Sequence, residues 1–248
     1  MDYKISNTHL QISSVQQKFK AAIFGQGKIS SHIPSLFKNL AKDFIDLGHS
    51  SNAKNNVYDD IKYIILAVPD HQIEIVYNEV KDSFPSGSYF IHMSGALYLE
   101  GLIGLHPLMT FSANNPLKNY DEIPICCDQE SFYSDFKDSI PQLKYLPPEK
   151  KAIYHAMASM LGNFTQYYLY TMKNNFPEGL NFKIYEQLVL ASVKSMFQDG
   201  EFKKLTGPFI RGDIETIEKH KATLTEDNQK LLEIYQNFEN LFFEEIKL

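Results

Sequence analysis

Tryptophan is absent from this 248-residue chain, and its only two cysteines stand side by side at Cys126 and Cys127. A relaxed disulfide needs converging Cβ vectors, which neighbouring residues rarely provide. No C-x-x-C or Cys/His metal spacing accompanies them, so the expectation is no metal and two reduced, buried thiols acting as small hydrophobes. A basic excess is missing too: 24 Lys and Arg stand against 30 Asp and Glu, a formal net charge of −6. Broad nucleic-acid binding needs a basic face to neutralise phosphates, so no nucleic-acid partner is expected. No run of about 18 apolar residues occurs, which argues against a membrane span. Met1–Lys20 is polar and has no apolar signal core, and a cytoplasmic location is expected.

What is present suits an ordinary globular protein: 44% hydrophobic and 22% charged residues, with 18 Phe and 15 Tyr supplying the aromatic bulk. The length fits one large domain or two modest ones. Residues 1–18 alternate only weakly and read as an arm. Phe19–Phe24 is a short apolar run ending at Gly25, the way a buried parallel strand enters a βα turn. Ser30–Phe44 has helical apolar spacing through Ile33, Leu36, Phe37 and Leu40. Phe44–Leu47 reads as a second strand, closed by Gly48. The strongest strand is Ile61–Val68, which stops at Pro69-Asp70; helical residues Ile73–Val80 follow, then a strand at Tyr89–His92. Short apolar strands alternating with helices predict a parallel α/β sheet.

Beyond Leu146-Pro147-Pro148 the strand signals stop. Helical segments follow over Lys150–Lys173, Tyr185–Gln198, Asp213–Lys219 and Glu226–Ile246. The expected organisation is therefore an arm over 1–18, an α/β domain over 19–147 and a helical domain over 148–248, with the prolines marking the change of direction.

The first glycine turn, Gly25-Gln26-Gly27-Lys28-Ile29-Ser30, matches two of the three glycines in G-x-G-x-x-G. Such a turn needs a tight bend, close backbone approach to a pyrophosphate and a helix N-terminus aimed at its charge. Ser30 stands in the third place, and Pro34 removes a backbone donor early in the helix. An acid at the tip of the second strand would bond a ribose 2′-OH and favour NAD, whereas a hydroxyl-rich or basic loop suits a 2′-phosphate. Here the loop is Gly48-His49-Ser50-Ser51-Asn52-Ala53-Lys54, without an acid, and Asp46 is expected inside the strand. The loop leans towards NADP, with NAD as the alternative. Few residues separate Gly48 from the next strand, so the usual second crossover helix is expected to be short or lost.

Three strand ends carry polar side chains to one edge: Val68-Pro69-Asp70, His92-Met93-Ser94-Gly95 and Leu105-His106-Pro107. Ligands bind at the carboxyl edge of open α/β sheets. Farther along, Tyr154-His155 opens a helix that also carries Ser159 and Asn163. A histidine could protonate a reduced oxygen or nitrogen, and an Asn amide could orient a substrate. Against this, His155 could be an interface histidine and Asn163 a helix–helix hydrogen bond. Last comes Leu205-Thr206-Gly207-Pro208-Phe209-Ile210-Arg211-Gly212-Asp213, a turn joined to a charged pair and a helix. Arg211 suits carboxylate recognition or an ion pair with Asp213, and Asp213 suits a helix cap.

The ordered set G-x-G, V-P-D, H-x-S-G, H-P-L-x-T-F, Y-H-A-x-A-S-x-x-x-N-F and L-T-G-P-x-x-R-G-D resembles a bacterial family of Rossmann-like, NADP-oxidoreductase-like proteins with a helical C-terminal domain of unknown function. That family is similar to pyrroline-5-carboxylate reductase and to the 6-phosphogluconate and 3-hydroxyisobutyrate dehydrogenases. The resemblance covers about Ala21 to His220. It implies a Rossmann-like parallel sheet, an all-helical C-terminal domain of the 6-phosphogluconate dehydrogenase kind that forms a homodimer, and an active site between the two. In this reading Gly25, Gln26, Gly27, Lys28 and Ile29 line the pyrophosphate. His49 and Ser50 stand where the family has Arg-Ser beside a 2′-phosphate, and Val68, Pro69 and Ser94 approach the nicotinamide. His155 falls where related dehydrogenases place a Lys, with Asn163 on the same helix; Arg211 could receive a substrate carboxylate if it points into the cleft. The implied activity is hydride transfer between NADP (or NAD) and a small C=O or C=N substrate. The rival is a non-catalytic nucleotide-binding or sensing protein, favoured by His at 49, Ser at 30 and the lack of Lys at 155.

Overall fold

A computed structural model describes residues 19–53, 58–112, 119–198 and 205–246; the expected arm over 1–18 lies outside them. Seven strands form one sheet in the order β2-β1-β3-β4-β5-β6-β7. They are β1 Lys20–Phe24, β2 Asp43–Gly48, β3 Ile61–Leu66, β4 Tyr89–His92, β5 Ile103–Pro107, β6 Ile125–Cys127 and β7 Leu143–Tyr145. The pairings from β2 through β5 are parallel; β6 runs antiparallel to β5, and β7 is parallel to β6. The fold is the Rossmann-like one expected, with helices following the sheet.

Strand period 2 divides the apolar runs between two cores. Ala21 and Ile23 of β1 join Tyr63 and Ile65 of β3 on one face, with Leu36, Phe37, Phe132 and Phe136 packed over them. Ala22 and Phe24 join Ile64 and Leu66 on the other, under Ile73 and Val80. Burial on both faces is why β1 and β3 read as continuous apolar runs rather than alternating ones. Each fully buried Ile or Leu is worth roughly 1.5–3 kcal/mol relative to exposure.

The helices α1 Ile33–Leu36, α2 Ile73–Val80, α3 Glu130–Phe136 and α4 Lys151–Ser159 belong with the sheet. The expected Ser30–Phe44 helix is corrected to a 3₁₀ turn at Ser30–His32 and the single turn of α1. The burial pattern held, since Ile33, Leu36, Phe37 and Leu40 are all buried. The length did not, because β2 already pairs with β1 from Asp43. Between β2 and β3 the described residues contain only a 3₁₀ turn, Ser50–Asn52.

By contacts the chain separates into two compact units, residues 1–163 and 164–248. Secondary structure changes character at the prolines, but compactness divides later. The cause is α4, whose Lys151 is buried against the sheet residue neighbour Asp128. A π turn, Met160–Phe164, follows α4.

The second unit comprises α5 Thr165–Asn174, α6 Glu186–Gln198, α7 Pro208–Arg211, α8 Ile214–Asp227 and α9 Gln229–Ile246. Gly207 (φ 119°) and Gly212 (φ 65°) bracket α7, where Pro208 opens the helix. Asp213 caps α8: its carboxylate accepts the Thr216 N–H at 3.1 Å and the Thr216 hydroxyl at 2.9 Å. Phe209 packs against Tyr235 and Phe242 of α9, and Ile217 and Leu232 are buried between the last helices.

Candidate functional site

The strand order reverses at β1, which lies between β2 and β3, and the crevice at such a switch point is where α/β sheets bind ligands. The glycine turn sits there. Gly25 donates its N–H to Gly48 O at 2.8 Å, and Ala67 donates to Phe24 O at 2.7 Å. A Cβ on Gly25, at φ +118°, would stand 2.1 Å from Ala67 O, so only glycine fits. Gly27 differs: nothing lies within 4 Å of where its Cβ would be. Gln26 folds its amide over Gly48, Lys28 is exposed, and Ile29 packs against the core. The buried Ser30 hydroxyl has no hydrogen-bond partner among the described residues. His32 anchors the turn, with Nδ1 2.7 Å from the Tyr120 hydroxyl and Nε2 donating to Ser112 O at 3.1 Å.

An open space over Gly27 and an orphaned Ser30 hydroxyl beside it fit the pyrophosphate of a dinucleotide. The short helix contributes little dipole, so backbone and hydroxyl donors would carry that recognition.

At the end of β2, Asp46 lies inside the strand and its carboxylate accepts the Gly48 N–H at 2.9 Å. His49 is exposed, and the Ser50 hydroxyl donates to the carboxylate of Glu79 on α2. Glu79 could not be read from sequence, because it lies 29 positions from Ser50.

The densest chemistry lies on one face of β4–β6, beneath α4. Lys151, Tyr154 and His155, spaced i, i+3, i+4, share a side of that helix. Lys151 donates to Asp128 Oδ2 at 2.6 Å, and Asp128 Oδ1 accepts the Gly104 N–H at 2.7 Å. Gly104 is required: its Cβ would stand 2.2 Å from Asp128 Oδ2 and 2.6 Å from Lys151 Nζ. His92, fully buried, accepts the Ser94 N–H on Nδ1 at 3.3 Å. Its Nε2 has no hydrogen-bond partner among the described residues and lies 4.0 Å from Asp128 Oδ2. Burial first, and then the Lys151 cation, push its pKa down to about 3, so this histidine is neutral.

Toward the strand ends, His106 Nδ1 lies 2.8 Å from the Tyr154 hydroxyl. The Cys126 thiol on β6 lies opposite His106 in the β5–β6 pair, near that hydroxyl. Burial, then His155 and Lys151, lower the His106 pKa to about 4, while burial raises those of Tyr154 and Cys126. His155 sets its ring 5.7 Å from that of His106, centroid to centroid. A Cβ on Gly95 would meet His155 Cδ2 at 2.6 Å and His106 Nε2 at 3.0 Å. Two imidazoles thus converge over a bare glycine at the carboxyl edge. Among the described residues the His155 nitrogens have no hydrogen-bond partner.

Of the other expected residues, Ser94 is buried and already engaged: its hydroxyl donates to Asp70 Oδ2 at 2.8 Å and accepts from the N–H groups of Ala96 and Leu97 at 3.3 and 3.0 Å. Val68 and Pro69 form the end of β3 beside Gly25. Asn163 is exposed within the π turn. The wider turn adds a residue, so positions eight apart come nearer to one face than in a regular helix. Neighbouring Gly162 faces Thr110 after β5. Arg211 belongs to the second unit, exposed, with its guanidinium 3.9 Å from Asp213 Oδ2. Sequence reading missed Asp128 and Lys151. The only signal was an acid at the end of a short apolar run and a lysine in a charged turn that looks solvated.

Among the described residues no group of three or more His, Cys, Asp or Glu could hold a metal ion, and no helix is long and apolar enough to cross a membrane.

No curated protein matches this chain. Among solved structures, BF3122 of Bacteroides fragilis, a proposed NADP oxidoreductase, is 17% identical, with 92% of this chain and 98% of that one covered at a TM-score of 0.72. Pyrroline-5-carboxylate reductase of Streptococcus pyogenes is 13% identical over 88% and 98% of the two chains, at a TM-score of 0.54. A semialdehyde dehydrogenase NAD-binding protein of Cupriavidus necator, solved with calcium and NAD, is 14% identical over 89% and 99%, at 0.52. Residues 136–240 match a domain of unknown function, DUF2520. The chain therefore has the fold of the Rossmann-type NAD(P) proteins, with a DUF2520 domain in its C-terminal region.

Proposed function

We propose that the protein is an NAD(P)-dependent oxidoreductase acting on a small C=O or C=N substrate. The observation that carries this is the convergence of His155 and His106 over Gly95, on the same sheet edge as the open glycine turn. A nicotinamide held from the Gly25–Ile29 turn along Val68 and Pro69 would donate or accept the hydride. His155 gives the proton to the reduced oxygen or nitrogen, or takes it back in the reverse direction. His106, neutral with a pKa of about 4, orients rather than protonates, and Tyr154 holds its Nδ1. Ser94 keeps the Asp70 turn in shape beneath the reacting atoms. Asn163 orients the substrate. The exposed apolar residues of α5 and α6 support a homodimer through the helical unit. The fold neighbours support a nicotinamide cofactor and a small-molecule substrate.

The test is titration with NADH and NADPH, followed by nicotinamide fluorescence. Saturable micromolar binding is expected, lost on Gly27→Asp. Because a Cβ at 27 meets open space, that variant should melt like the parent. No binding of either nucleotide at millimolar concentration overturns the reading in favour of a scaffold or a sensor of something else. Where binding holds, His155→Gln should lower turnover of small keto or imino acids by about 10²–10⁴-fold with little change in nucleotide affinity.

A further inference from the structure

Among the described residues the charged side chains bonded at the end of β2 are carboxylates, and no arginine lies anywhere in the sheet unit. We infer that this site takes NAD(H) in preference to NADP(H), and that Glu79 is the discriminating residue. The inference rests on the nicotinamide reading above and deepens it.

In a βαβ dinucleotide site the ribose 2′ position falls at the carboxyl end of the second strand. Here that end is Asp46–Ser50, tied to the glycine turn by the 2.8 Å bond from Gly25 N–H to Gly48 O. Two carboxylates stand beside it. Asp46 accepts the Gly48 N–H, and Glu79 of α2 accepts the Ser50 hydroxyl. The hydroxyl that would have greeted a 2′-phosphate is therefore engaged by an acid. A 2′-OH can donate to such a carboxylate. A 2′-phosphate, with no proton to give at neutral pH and a charge near −2, meets repulsion.

The usual counterweight is missing as well. A 2′-phosphate is gripped by a planar guanidinium. The chain has a single arginine, Arg211, and its guanidinium lies 3.9 Å from the Asp213 carboxylate. Of the basic side chains, His49 is exposed beside Ser50, Lys28 is exposed in the glycine turn, and Lys54 lies outside the described residues. The Ser/Asn-rich loop leaned towards NADP because hydroxyls count as phosphate partners; Glu79 reverses that sign from a helix after the next strand.

The experiment compares NADH and NADPH affinities of the full chain and of Glu79→Gln, at low and moderate salt. Gln keeps a hydrogen-bond acceptor for Ser50 and removes only the charge. The parent should bind NADH about 10-fold or more tightly than NADPH, a ratio that shrinks with salt because exposed charges are screened. Glu79→Gln should tighten NADPH by about 3–10-fold, the size expected for losing one exposed like charge, while NADH, whose 2′-OH loses a charged acceptor, binds no more tightly than before, so the preference for NADH falls. A parent that binds NADPH as well as NADH, or a folded Glu79→Gln with an unchanged ratio, overturns the inference and leaves the oxidoreductase reading standing. Failure of both nucleotides to bind removes both.

Discussion

The two units handle apolar side chains in opposite ways. Every buried hydrophobic residue among those described belongs to the sheet unit, except Ile217 and Leu232. In the helical unit, by contrast, Leu188, Leu190, Val193, Met196 and Phe197 of α6 stand exposed, Phe197 to 83%. The sheet unit covers both faces of its strands and can afford a polar network on one of them. The helical unit leaves a helix apolar on more than one side, which is the mark of a helix covered by something else. One unit is finished within the chain; the other asks for a second surface.

The largest effect should come from breaking the ion pair at the heart of the finished unit. Lys151→Met leaves Asp128 buried with one backbone donor, a cost of about 3–5 kcal/mol for an uncompensated buried charge. Urea denaturation reads it directly. The matching change in the helical unit, Lys219→Met, removes the exposed pair with Glu215 at 2.6 Å and should shift the midpoint by no more than experimental scatter. Equal losses at the two sites would refute the contrast.

The pH response should be polarised in the same direction. His92 and His106 titrate at about 3 and about 4 in the folded chain, below the ordinary histidine value of 6.5. The unfolded chain therefore binds more protons than the folded one between those values. Their contribution to stability is complete above about pH 6.5 and is lost as the pH falls towards 4 and then 3, up to a few kcal/mol in all. Urea unfolding from pH 8 to pH 5 should show this slope, and His92→Asn should flatten it. A slope that survives His92→Asn and His106→Asn together would place the acid sensitivity elsewhere.

The same division decides what was legible in the sequence. Strands β1, β3 and β4 and the demand for glycine at 25 were readable, because local pattern and local turn chemistry fix them. Asp213 as a cap and Cys127 as a buried thiol followed from neighbours one to three positions away, whereas Cys126, expected to be buried as well, is only partly so. What could not be read were pairings set by the sheet. β6 and β7 are three residues each, too short for a periodic signal. Asp128 meets Lys151 across 23 positions and Ser50 meets Glu79 across 29, and in each case one partner sat in a segment that looked solvated. The expected first helix failed for a related reason: its apolar spacing was correct, but tertiary pairing claimed its last residues for β2. In the candidate site, His155 was visible from its motif, whereas the His106–Tyr154 hydrogen bond that shapes its surroundings was not.

The smallest effect on the fold, and the one most telling for the comparison, belongs to α6. Val193 and Phe197 are exposed and lie one turn apart on one side of the helix with Leu190. Replacing both by Glu removes no internal packing, so the chain's own stability should move by no more than about 0.5 kcal/mol per site. If a second copy covers this face, sedimentation should show the parent as a dimer and the double variant as a monomer. Dimerisation also adds stability by mass action, so the parent's melting temperature should rise with protein concentration and the variant's should not. At high dilution the two should melt together. A parent that stays monomeric at every concentration would mean that α6 is not covered by its own kind, and the homodimer would fall. A variant that unfolds outright would mean the face is core, and the contrast between a finished and an unfinished unit would fall with it.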